Sequence, residues 1–84
     1  MKVNQLEDGS WYLYGCEPLF ISSYCKYIGE ELDAETFRYI FHFLDGYVFR
    51  YSVDIVELNI SPCSSHLSKY LDLFRLEEPN EEVP

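Results

Sequence analysis

Eighty-four residues are enough for one domain. Fifteen Asp/Glu against six Lys/Arg give a formal charge of −9, which argues against direct contact with nucleic acid or an anionic membrane, because their phosphates repel it. Hydrophobic residues make up 48% of the chain, with eight Tyr, six Phe and one Trp; that builds a core without disulfide staples and leaves more aromatic surface than so short a chain easily hides.

The chain opens with a predicted hairpin. Val3–Leu6 suits a short strand, Asp8-Gly9 supplies turn chemistry, and Trp11–Tyr14 forms the second strand. Period-two geometry then puts Trp11 and Leu13 on one face and Tyr12 and Tyr14 on the other. Over 17–28, Pro18 in a first turn, a stripe of Leu19, Phe20, Tyr24, Tyr27 and Ile28, and a closing Gly29 predict a helix. A second helix is expected over 33–46, with Asp33 as its cap, Phe37, Ile40, Phe41 and Leu44 as its buried stripe, and Gly46 at its end.

Tyr47–Ile60 is rich in β-forming residues. Its alternation runs Phe49, Tyr51, Val53, Ile55 and then shifts to Val56, Leu58, Ile60, so a bent strand with a bulge near 54–56 is expected. Ser61-Pro62 reads as the start of a last helix, with Leu67, Tyr70, Leu71 and Phe74 as its apolar stripe. The fold expected is α+β: a small antiparallel or mixed sheet in the order β-β-α-α-β-α, packed by two or three helices. Residues 1–76 form the compact domain. The tail over 77–84, acidic and with two prolines, is expected to be disordered.

Cys16, Cys25 and Cys63 are an odd set, and the polar first ten residues show no apolar leader. Free thiols in a reducing cytoplasm are therefore expected. No apolar run approaches the length of a membrane span.

Two constellations carry possible chemistry. Cys63 and His66, three apart on a predicted helix, face one way; with Cys16 and Cys25 they make a weak Cys3His metal set. The eight residues between Cys16 and Cys25 are not knuckle spacing, and a buried apolar role for cysteine is the simpler reading, so no metal or cofactor is expected. The same Cys63 and His66 read as nucleophile and base if a helix N-terminus lowers the thiol's pKa, but no oxyanion loop accompanies them. No calcium-loop or phosphate-cradling glycine motif is present. A binding protein is expected, not an enzyme.

The surfaces expected to bind are of two kinds. Glu30, Glu31, Asp33, Glu35, Asp54 and Glu57 form a candidate acidic face, whose charge spacing suits a nucleic-acid mimic if the residues share one side. Tyr12, Tyr14, Tyr39, Tyr47 and Tyr51 form a candidate aromatic patch. The expected partner is a basic, nucleic-acid-binding protein. The expected function is an acidic inhibitor of that surface, of the anti-defence or immunity type. The alternative is a self-associating accessory subunit, with a homodimer as its simplest form.

Overall fold

The middle of the chain obeys alternation, not the helical period. In the computed structural model, which describes residues 1–15, 23–73 and 80–81, the elements are β1 (Trp11–Tyr14), β2 (Tyr24–Asp33), β3 (Thr36–Phe43), β4 (Tyr47–Tyr51), α1 (Val53–Asn59), β5 (Ile60–Pro62), α2 (Ser65–Leu71) and β6 (Asn80–Glu81). The strands lie in the order β5-β1-β2-β3-β4-β6, antiparallel throughout except for the short parallel β4–β6 pair. The fold is α+β, as expected, but the order β-β-α-α-β-α is replaced by four strands, a helix, a short strand, a second helix and a final two-residue strand.

The helix expected over 33–46 is instead the end of β2, a turn and β3. Thr36–Phe43 carries both periods, and the two-residue one wins. Phe37, Tyr39, Phe41 and Phe43 share one face, and Ile40 and His42 the other. Aromatic residues pack well on a pleated surface, and neighbours on both sides satisfy the backbone. Asp33 does not cap a helix; its carbonyl accepts a hydrogen bond from the Thr36 hydroxyl at 3.1 Å.

The helix expected over 17–28 is also corrected where it is described. Tyr24–Ile28 belongs to β2, with Cys25 and Tyr27 buried and Ile28 exposed. Residues 16–22, including Cys16, lie outside the described part. Val3–Gln5 is a 3-10 turn and not the first arm of a hairpin. The Asp8-Gly9 turn does form, but it meets β2: the Gly9 N–H donates to the Tyr27 carbonyl at 2.8 Å and the Tyr27 N–H to the Ser10 carbonyl at 3.0 Å.

Val53–Asn59 is a helix despite its β-rich composition, so the bulge expected near 54–56 is absent. Ser52 caps it, its hydroxyl accepting from the Ile55 N–H at 3.4 Å, and Asp54 supplies the acid favoured in a first turn. A bulge lies in β2 instead, between Tyr27 and Gly29. Gly29 has φ 139°, a conformation that other residues rarely adopt. The last helix starts at Ser65 under a Ser64 cap, later than the expected Ser61-Pro62, which ends β5. Of its expected stripe, Leu71 is buried, Leu67 half-buried and Tyr70 exposed, while Phe74 lies outside the described residues. Of the tail over 77–84, Asn80 and Glu81 are described, as β6 beside β4.

The register sorts the side chains into two layers. One face gathers Tyr12, Cys25, Tyr27, Tyr39, Phe41 and Phe43, covered by Val56 of α1 and Ile60, with Met1, Val3 and Leu6 packed against them. The other face carries a row of Trp11, Lys26, His42 and Val48 across four strands. The Trp11 indole N–H donates to Asp72 just beyond α2 at 2.7 Å, and the Lys26 ammonium sits 5.5 Å over the Trp11 ring. His42 is buried on this face, and its Nε2 has no hydrogen-bond partner.

The β2–β3 turn is tight. Asp33 pairs with Thr36, so Ala34 and Glu35 alone make the loop. Ala34 has φ 55°, and positive φ at the first central residue is the pattern that normally requires glycine. Ala34→Gly is therefore expected to stabilise the protein by about 0.5–1 kcal/mol after the entropy cost of glycine. A raised urea midpoint would confirm this; an unchanged or lowered one would show that the turn is not strained.

Candidate partner-binding surface

The hairpin of β2 and β3 outruns its neighbours. The two strands pair from Cys25–Phe43 out to Asp33–Thr36. β1 accompanies β2 only at Tyr24–Lys26, and β4 accompanies β3 only at Tyr39–His42. Among the described residues, Gly29–Asp33 and Thr36–Arg38 thus form a two-stranded arm beyond the core.

This arm holds four of the six acids proposed from sequence, and the register divides them. Glu31 lies opposite Arg38 and accepts from the Arg50 guanidinium at 3.0 Å, while the Asp33 carboxylate is 4.0 Å from Arg38. Glu31, Asp33, Arg38 and Arg50 therefore form a mixed-charge ladder on the side away from the core. Glu30 lies opposite Tyr39, on the core side, and Glu35 is in the turn. Asp54 stands in the first turn of α1. Among the described residues, Glu30, Glu35 and Asp54 make no ion pair. Glu57 faces elsewhere, 3.9 Å from the Lys2 ammonium. The six acids do not make one face.

The aromatic set fares differently. Tyr12 and Tyr39 are buried, and Tyr14 and Tyr51 pack against the core, their rings stacked at 5.3 Å. Tyr12 also meets Phe41 edge-on, and its hydroxyl accepts from the Glu7 N–H at 2.9 Å. These four serve the interior; only Tyr47, at 50% exposure, stands out. Composition correctly signals an aromatic surplus but does not say which rings are left outside.

Of the exposed apolar residues that matter, Leu32 was not singled out by sequence, and Phe37 was expected in a buried helical stripe but is half exposed on a strand. Leu32 and Phe37 are cross-strand partners on the arm, 61% and 50% exposed. Phe37 lines a groove of about 430 Å³ with Thr36, Arg38, Tyr39, Ser52, Val53 and Asp54. Leu32, Phe37 and Val53 thus present apolar surface flanked by Glu30 and Asp54. Period-two alternation from Phe37 to Phe43 would have found Phe37 as a sheet residue. Its exposure depends on where β4 stops.

The other constellation does not assemble. Cys25 is fully buried, its thiol donating to the Tyr12 carbonyl at 3.6 Å, and burial pushes its pKa far up. Cys63 precedes the Ser64 cap and so does not sit in the first turn of α2; burial raises its pKa, where the sequence had suggested lowering. His66 is exposed on α2. Among the described residues, no three His, Cys, Asp or Glu side chains come together as a ligand group. No described helix is long and apolar enough to cross a membrane.

The fold and its arm define an α+β domain with a projecting acidic hairpin that bears an exposed apolar pair. Comparison with protein-family models, with curated proteins and with solved structures finds no match for the chain.

Proposed function

We propose that this chain is an acidic protein-binding inhibitor that covers a basic, nucleic-acid-binding surface of a partner with its β2–β3 arm. The observation that carries this reading is the exposed Leu32–Phe37 pair on an arm whose neighbouring Glu30 and Glu35 make no ion pair among the described residues, in a chain of charge −9. The two parts have separate work. Covering two half-exposed apolar side chains contributes about 1–2 kcal/mol each. Solvated charges contribute little affinity but speed encounter with a basic surface and disfavour acidic competitors. The alternative, a self-associating subunit, uses the same apolar pair but brings two strongly acidic copies together, which the charge opposes.

The test is capture by the tagged chain from nuclease-treated lysate, followed by competition between the chain and nucleic acid for the captured protein. The expected partner is basic, elutes with salt and is displaced from immobilised DNA or RNA by the chain. Replacing both Leu32 and Phe37 with Ser should weaken the complex about 30–1000-fold, mainly through faster dissociation. Replacing Glu30 and Asp54 with Lys should mainly slow association and flatten its salt dependence. Recovery of only neutral or acidic proteins, or of a partner that binds chain and nucleic acid together, would remove this reading.

A further inference from the structure

The arm offers backbone as well as side chains. Tyr27 turns both its N–H and its carbonyl away from β3, toward Ser10 and Gly9. Tyr27 pairs with Phe41, so Phe41 belongs to a pair that exchanges no hydrogen bonds across β2–β3. Tyr39 and Phe37 follow at steps of two and share that sense, as do their partners Glu30 and Leu32. Past the bulge, the N–H and carbonyl groups of Glu30 and Leu32 therefore point out of the sheet. Among the described residues no strand pairs with this edge, since β1 leaves β2 at Lys26.

Resting on the function proposed above, we propose that the outer edge of β2 from Gly29 to Asp33 receives an extended, basic segment of the partner as an added antiparallel or parallel strand. Exposed edges are usually blunted by lysine, proline or shortness. This one carries neither lysine nor proline. Its charges, Glu30, Glu31 and Asp33, exclude one class of occupant and favour another. A second copy paired along the same edge would set three acids of each chain beside three of the other, an arrangement that cross-strand repulsion disfavours. A strand with Lys or Arg on one side and apolar residues on the other meets no such penalty. Its apolar side chains continue the face of Leu32 and Phe37, and its basic ones lie beside Glu31 and Asp33. Backbone pairing supplies the affinity and the alternating side chains the choice of partner.

The experiment uses the full chain and a blocked octapeptide that alternates lysine and valine, with a glutamate–valine peptide as control. Binding is followed by amide hydrogen exchange and by titration at low salt. The expected result is binding of the lysine peptide only, with new protection of the Glu30 and Leu32 amides. Leu32→Pro removes an outward N–H without breaking a β2–β3 bond, so it should weaken binding about tenfold. Leu32→Thr, which keeps the N–H, should lose clearly less. Peptide binding without protection of those two amides would overturn strand addition while leaving the basic-partner reading intact. No binding of the lysine peptide would also overturn strand addition, and the capture experiment decides the broader reading separately. Protection of the same amides by self-association in the absence of peptide would give the edge to a second copy and overturn the assignment.

Discussion

Phe41→Ala is expected to remove about half of the protein's stability. Phe41 is fully buried at the centre of the sheet, meeting Tyr12 edge-on at 6.2 Å, Tyr27 at 5.3 Å and Tyr51 at 5.9 Å between ring centroids. Truncation removes the ring's burial and leaves a cavity that four strands cannot close together, at a cost of about 3–5 kcal/mol. A domain of this size has a total stability of roughly 5–10 kcal/mol, so about half is lost and the variant melts at a much lower urea concentration. Phe41→Leu keeps most of the volume and should cost about 1–2 kcal/mol. Urea melts of the two variants check this: a Phe41→Ala midpoint close to the parent's would mean that the aromatic cluster is not the core's keystone.

The second large effect is loss of stability in alkali. Burial, with Glu30 and Asp8 nearby, raises the Tyr27 phenol to about 12, and burial raises the Cys25 thiol further from its usual range. In the unfolded chain the thiol ionises near pH ~8.5 and the phenol near ~10. Above those values the unfolded state binds fewer protons than the folded one, so stability falls as pH rises. The contribution is intact below pH ~8.5, and Tyr27 alone removes on the order of 2 kcal/mol by the time pH reaches 12. Urea midpoints should therefore decline from pH ~8.5 upward. Tyr27→Phe should flatten the upper part of that decline and Cys25→Ala the lower part, whatever either costs at neutral pH. A parental profile flat to pH ~11, or variants with an unchanged slope, would contradict the burial of these two groups.

Both effects arise from side chains whose neighbours come from distant parts of the chain, which also explains where sequence reading succeeded and failed. Trp11–Tyr14 was legible as a strand with Tyr12 and Tyr14 on one side, because alternation and a preceding Asp-Gly turn agree there. Thr36–Phe43 was not, because apolar residues on both sides of a central strand satisfy a helical stripe as well as an alternating one. Val53–Asn59 misled in the opposite direction: its valines and isoleucine favour strand, but the Ser52 cap, Asp54 in the first turn and an open site over the aromatic layer favour helix. Ser52 was the signal that could have corrected it.

The candidate surface was half legible. The acids at 30–35 and their excess over bases belong to composition, and they do lie on one projecting element. Their division into a ladder paired with Arg38 and Arg50 and a Glu30 on the opposite, core side follows only from register. By itself, the sequence determined a strongly acidic, aromatic-rich α+β chain, because charge and residue type do not depend on folding. Only the tertiary structure decided which rings are buried and which apolar pair stands out. Strand pairing is non-local, and the lengths of β1 and β4, not the residues of the arm, leave Leu32 and Phe37 uncovered.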